Sequence, residues 1–164
     1  MAQTKVLREF TGGRHKHSVC ISEAVSIAEK TCRTRGNRLT PIRRRVLELV
    51  WGSHEPVKAY DVLQSLQKER KGAAPPTVYR ALDFLLEEGL VHKIESLNAY
   101  IGCGKPGHAD SGQFFICRGC GEVAEIDDPE LTRLITKKAE QLGFSTENQV
   151  VEIKGACERC LTAR

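Results

Sequence analysis

Two pairs of cysteines, Cys117-x2-Cys120 and Cys157-x2-Cys160, constrain this chain more than any other feature. Two residues between thiolates let both sulfurs of one tight turn point at a single ion. Two such turns complete a tetrahedral shell, the geometry of structural Zn²⁺. A shell closed by four thiolates leaves no position for a substrate, so a zinc there is structural and not catalytic. The segment that carries the cysteines needs such a staple, because a unit of ~50 residues cannot bury enough apolar surface alone. Neither pair sits in a βαβ pattern and the spacing recurs, which disfavours a thioredoxin-type redox reading.

The chain has seven Cys in 164 residues. An odd count argues against a secreted disulfide framework, and clustered thiols in a reducing compartment are metal ligands or redox groups. The N-terminus, MAQTKVLREFTGG, has no apolar core of the signal-peptide type, and no stretch approaches the ~18 apolar residues of a membrane span. These features lead us to expect a cytoplasmic protein with no membrane partner. The formal charge of +4 is unevenly spread: residues 1–110 hold 18 Lys+Arg against 12 Asp+Glu, and residues 111–164 hold 7 against 9. That asymmetry predicts two domains with different jobs.

Residues 1–20 show no hydrophobic period and read as a flexible tail. Four helical segments follow. Ser22 caps the first, with Ala24, Ile27 and Ala28 as its apolar face. Thr40-Pro41 opens the second, with Ile42, Val46, Leu49 and Val50 inward and Arg43, Arg44 and Arg45 on the other face. The third spans about Ala59 to Arg70, with Val62, Leu63 and Leu66 inward. The fourth starts at Pro75-Pro76, carries Val78, Leu82, Leu85 and Leu86, and ends at Gly89. Strand signals at Leu90–Glu95 and Ala99–Cys103 flank a turn at Ser96-Leu97-Asn98. Helices followed by a hairpin are the order of a winged helix, so residues 21–103 are expected to form that domain. The breaker-rich stretch at 104–112 reads as a hinge.

Residues 113–164 read as a small second domain. Its short strands lie at Gln113–Cys117, Glu122–Ile126 and about Val150–Lys154. Asp128-Pro129 opens a helix with Leu131, Leu134, Ile135 and Leu142 on one face, and Gly143 ends it. The expected class is therefore α+β: an N-terminal winged helix-turn-helix domain, a hinge, and a small C-terminal α/β domain with a Cys₄ zinc site.

Between Lys30 and Arg45 lie seven basic residues and no acidic one. The third and fourth helices are joined by a short Gly/Pro connection, as in a helix-turn-helix, whose second helix enters the major groove with its first residues near the bases. In this chain those residues are Thr77, Tyr79, Arg80 and Asp83, which lie off the apolar stripe. For Arg43–Arg45 taken alone, a solvated face serves equally well. The whole constellation favours double-stranded DNA as the partner.

The runs Arg38-Leu39-Thr40-Pro41-Ile42-Arg43, Ala59-Tyr60-Asp61, Pro75-Pro76-Thr77-Val78-Tyr79-Arg80 and Gly89-Leu90-Val91-His92-Lys93-Ile94, with Phe115-Ile116-Cys117-Arg118-Gly119-Cys120-Gly121, resemble the ferric-uptake-regulator family over about residues 22–160, most closely its zinc-responsive branch. The resemblance implies a homodimer, with the second domain as the dimerisation domain, that represses zinc-uptake genes from operator DNA when zinc is bound. It implies DNA contacts at Tyr60 and Arg80. It also implies a regulatory zinc held by His92, Cys103, His108 and Glu125, besides the structural one, giving two Zn²⁺ per chain. That set offers one sulfur, two nitrogens and one oxygen, enough for a tetrahedral ion. Its thiolate favours Zn²⁺ over Fe²⁺ or Mn²⁺. Four residues separate Cys103 from His108, and Asp110 lies near enough to replace or support that histidine.

Other readings compete. A family relative could sense iron or peroxide, and a non-specific nucleic-acid binder would show steep salt dependence. A zinc-dependent or thiol enzyme would need an open coordination position. The chain has no His-Glu-x-x-His and no Gly-rich phosphate loop, so neither an enzyme nor a small-molecule substrate is expected.

Overall fold

The computed structural model describes residues 4–12, 17–53, 55–106 and 111–163. In chain order the elements are β1 (Lys5–Arg8), α1 (His17–Thr34), α2 (Pro41–Trp51), α3 (Ala59–Glu69), α4 (Pro75–Glu87), β2 (Val91–Ile94), a 3-10 turn (Glu95–Leu97), β3 (Ala99–Gly102), β4 (Ser111–Cys117), β5 (Val123–Asp127), α5 (Pro129–Gln141), β6 (Gln149–Gly155) and α6 (Glu158–Thr162). The mixed helix-and-sheet class agrees with expectation. The chain divides into two compact units: Thr11–Ala109, and Met1–Phe10 together with Asp110–Arg164. No helix among the described residues is long and apolar enough to cross a membrane.

In the helical unit the apolar stripes meet in one core. Ala28, Val46, Val50, Leu66, Leu82 and Leu85 are each fully buried there. α1 begins at His17, ahead of the position expected from Ser22. Ser22 does not cap it; its Oγ donates to the Val19 carbonyl from inside the helix. The reason lies in the stripe, which runs Ile21, Val25, Ala28, Cys32 at helical spacing and so extends past Ser22. Ile27 falls off that stripe and is 44% exposed, against the expectation that it faces inward. Cys32 is a core side chain, and burial followed by the Glu88 carboxylate pushes its thiol up. Pro41 and Pro75 open α2 and α4 at the first helical position, where the missing N–H costs nothing.

The arginines of α2 hold the bundle together. Successive residues on a helix point about 100° apart, and these three reach three different helices. The Arg43 guanidinium lies 3.6 Å from the centre of the Phe84 ring on α4. Arg44 pairs with Glu29 of α1 at 2.8 Å, and Arg45 with Glu69 of α3 at 2.6 Å. Glu48 braces both Arg44 and Arg45 from within α2. The Arg45 contact holds the Glu69 carboxyl below its ordinary range. Much of the basic run is therefore neutralised inside the chain.

α4 ends at Gly89, whose φ of 64° turns the chain into the hairpin. Strands β2 and β3 pair antiparallel from Val91↔Gly102 to Ile94↔Ala99, and Asn98 takes the left-handed conformation that closes the turn. Gly102 must lack a side chain, because a Cβ there would sit 2.2 Å from the Trp51 ring of α2.

The second unit is a four-stranded sheet in the order β1-β5-β4-β6. β4 runs antiparallel to β5 and parallel to β6. Its first strand comes from the segment read as a flexible tail. Lys5–Arg8 pairs antiparallel with β5, Lys5 lies opposite Asp127, and the Thr4 hydroxyl donates to Asp128 Oδ2 at 2.6 Å. An edge of β5 left open would present a row of unpaired backbone groups, which β1 covers. Asp128 caps α5 by accepting from the amides of Glu130 and Leu131, and the Gln113 side chain ties that cap to β4. The apolar face expected on α5 is only partly covered: Leu131 and Ile135 are half-buried, whereas Leu134 is 54% and Leu142 85% exposed. The sheet reaches one side of the helix and leaves the other open.

Replacing Leu82, fully buried where α4 meets the other helices, by Ala is expected to destabilise the helical unit by about 2–5 kcal/mol. Urea unfolding monitored on Trp51 measures this, and a loss below about 1 kcal/mol would show that the core is not built around α4.

Candidate metal centre and nucleic-acid face

The turn after β4 supplies Cys117 and Cys120, and the turn from β6 into α6 supplies Cys157 and Cys160. Because β4 and β6 lie side by side in parallel register up to Cys117↔Gly155, their ends deliver the two turns to one place. The four sulfurs lie within 4.8 Å of one another. No pair forms a disulfide, and Cys120 Sγ stands 3.8 Å from Cys157 Sγ. A tetrahedron with ~2.3 Å zinc–sulfur bonds has sulfur–sulfur edges of ~3.8 Å. The cage therefore fits zinc in donor type, number and spacing.

Backbone groups prepare the cage. The amides of Gly119 and Cys157 point at Cys117 Sγ at 3.4 and 3.3 Å. Amide donation, from Cys157 first, lowers the Cys117 thiol to about 6. The Cys157 thiol and burial push Cys160 up to about 12, and burial also raises Cys120. In the metal-free cage Cys117 therefore ionises before Cys120 and Cys160, which keep their protons. Gly119 is a functional position that spacing alone does not single out. A Cβ on it would sit 2.7 Å from Cys160 Sγ, so the Cys-x2-Cys turn closes around the second pair only with glycine there. The Arg159 guanidinium bonds buried Glu122 at 3.0 Å beside the same cage.

The second donor group begins in the hairpin of the helical unit. His92 on β2 and Cys103, just past β3, are 7% and 0% exposed, and His92 Nε2 stands 3.0 Å from Cys103 Sγ. An ion shared by a nitrogen at ~2.0 Å and a sulfur at ~2.3 Å at the tetrahedral angle separates them by ~3.5 Å. The pair therefore needs to open by only about 0.5 Å. A buried imidazole held against a buried thiol suits a ligand pair. Glu125 sits on β5 of the other unit and is 3% exposed. His108 and Asp110 lie outside the described residues.

Of the residues read as DNA contacts, Tyr60 and Tyr79 line one cavity of the helical unit. Tyr60 opens α3, and Thr77, Tyr79 and Arg80 occupy the first turns of α4. Tyr60 and Tyr79 are 65% and 52% exposed. Between them lies an apolar cavity of about 220 Å³ lined by Ala59, Tyr60, Leu63, Pro75, Val78 and Tyr79. Val78 anchors this edge from inside at 1% exposure, its neighbour Tyr79 is exposed, and Thr77 is half-buried. Exposed aromatic rings beside an arginine at two helix starts can stack on or bond to base edges and phosphates.

Fold and cage together define a metal-binding protein of mixed helix and sheet with an outward-facing pair of helix starts. Residues 34–154 match the ferric uptake regulator family. The chain is 42% identical over 142 residues to the zinc uptake regulation protein of Escherichia coli (strain K12), covering 85% of this chain and 82% of that protein. Among solved structures it is similar to holo XcZur, with a TM-score of 0.79, 41% identity, and coverage of 90% of this chain and 99% of that one. It is also similar to a zinc uptake regulator complexed with zinc and DNA, with a TM-score of 0.81, 40% identity, and coverage of 87% and 96%. The chain belongs to the ferric uptake regulator family.

Zinc entry into the cage should release protons. At pH 7 a thiol lowered to about 6 is already ionised, while the raised Cys120 and Cys160 still carry theirs. We expect at least two protons per ion at pH 7, and one more below about pH 6, where Cys117 is protonated as well. Indicator-dye titration of the metal-free protein measures the count. A release that does not grow as the pH is lowered through 6 would contradict this order of ionisation.

Proposed function

We propose that the chain is a zinc-responsive transcriptional repressor that binds operator DNA as a homodimer when zinc-loaded and represses zinc-uptake genes. The observation that carries this reading is its 40% identity, over 87% of its length, to a zinc uptake regulator held with both zinc and DNA. Within this reading α3 and α4 are a helix-turn-helix, α4 enters the major groove, and β2–β3 is the wing. Tyr60, Thr77, Tyr79 and Arg80 contact DNA. No catalytic step is involved, and Cys117, Cys120, Cys157 and Cys160 hold a structural ion.

The same reading gives each chain a second, regulatory zinc on His92, Cys103, His108 and Glu125. Buried imidazole and thiol support it on the helical side, and a buried carboxylate supports it on the other. When bound, the ion supplies bonds to both units at once. The hairpin ligands move with the DNA-reading helices, and Glu125 belongs to the dimerisation sheet. Tying them favours the arrangement in which two α4 helices stand one DNA turn apart, ~34 Å. Metal shifts the equilibrium only by its preference for that arrangement, and a ~10²-fold preference supplies about 2.7 kcal/mol.

Dimerisation is supported by the apolar surface of the second unit. Leu134, Leu142, Phe144, Val150 and Ile153 are between 45% and 85% exposed in the single chain. Large apolar side chains left exposed in this number are candidates for cover by a second copy of the chain.

Two substitutions separate the two zinc sites. Cys117→Ser is expected to unfold the second unit and abolish dimers. Cys103→Ser is expected to leave a folded dimer with one zinc per chain that no longer binds operator in response to zinc. Zinc content, sedimentation and an operator gel shift measure these outcomes. Full zinc-dependent binding by Cys103→Ser would remove the regulatory assignment.

A further inference from the structure

Strand β1 lies outside the stretch that matches the family, residues 34–154, and the proposed function has no use for it. Its register gives it one. Past a bulge between Val6 and Arg8, the ladder places Arg8 directly opposite Glu125. Glu125 faces Phe114 on β4, and Phe114 faces Glu152 on β6. Residues directly opposite in a ladder share a face, with Cβ atoms about 4.5–5.5 Å apart. Arg8, Glu125, Phe114 and Glu152 therefore form one row across the sheet, in which Arg8 is the cation. Glu125 is 3% exposed and Phe114 1%. The carboxylate thus has an aromatic ring on one side and an arginine on the other.

We propose that β1 sets the zinc threshold of the sensor: Arg8 engages the Glu125 carboxylate, so guanidinium and zinc compete for the same ligand. The proposal rests on the assignment of Glu125 to the regulatory site. A guanidinium matches a carboxylate in shape and charge. An ion arriving at Glu125 must share or displace that partner, and it meets a positive charge close by. β1 is built to yield. It is a four-residue edge strand, interrupted by the bulge and fastened at its start by the Thr4–Asp128 bond. Such a short ladder opens at low cost. Reciprocity follows, so zinc at Glu125 loosens β1 by the same factor that β1 weakens zinc.

The test uses the full-length dimer and measures Zn²⁺ affinity of the weaker site by chelator competition, with amide exchange of residues 5–8 read in parallel. A unit charge removed from ~6 Å beside a divalent ion is worth about ten-fold in affinity even at water-like screening. Arg8→Gln is accordingly expected to tighten the weaker site about ten-fold, and Arg8→Lys, which keeps the charge, to stay near wild type. Zinc loading of the wild type is expected to speed exchange in β1. A variant that sheds β1 altogether also loses the competitor, so the sign of the shift is unchanged. An unaltered or weaker affinity in Arg8→Gln overturns the proposal. Cys103→Ser serves as the control: if it leaves the weaker zinc event in place, the regulatory assignment fails instead of the role of Arg8.

Discussion

The second unit depends on bringing four cysteine sulfurs to one point. Its buried apolar side chains among the described residues are few: Phe114, Ile116, Cys117, Val123, Ala124 and Cys157. Two of those six are themselves ligands of the cage, and α5 contributes no fully buried residue. Hydrophobic burial of that extent does not hold a unit of this size. The remaining stability has to come from a metal that joins the end of β4 to the start of α6, and from a second copy of the chain. Both contributions follow from the same shortage of core.

The helical unit is built the opposite way. Its stripes fill one contiguous core, and its arginines clamp three neighbouring helices from the central one. Exposed ion pairs add little each, ~0–1 kcal/mol, so the packed core carries most of the stability and the pairs bridge the helix faces around it. A rigid bundle of this kind can carry Tyr60, Tyr79 and Arg80 at fixed mutual positions.

Much of this is legible in the residues. α3 and α4 carry strict helical stripes, α2 and α4 have proline starts, and all three lie within a residue or two of the expected bounds. The hairpin is marked by Asn98, and the cage by its spacing. Other features are not legible, for physical reasons. β1 has four residues and no alternation, and its existence depends on β5 having an edge to cover. The start of α1 lies ahead of Ser22 because the apolar stripe begins before it, and that residue, which carries cap chemistry, bonds backward to Val19. Ile27 and the outer side of α5 show that a period predicts a face, not what covers it. The pairing of Arg44 and Arg45 with Glu29 and Glu69 cannot be read along the chain, since the partners lie 15 and 24 residues away. His92 and Cys103 become a pair only through hairpin register, although each is a candidate ligand by type.

The measurement that bears most directly on this account is zinc content per chain taken together with operator affinity across a range of buffered free zinc. We expect two ions per chain with well-separated affinities, the tighter one retained through dialysis and the weaker one rising in step with DNA binding. A single ion per chain, or operator binding that is complete before the weaker ion enters, would contradict the account.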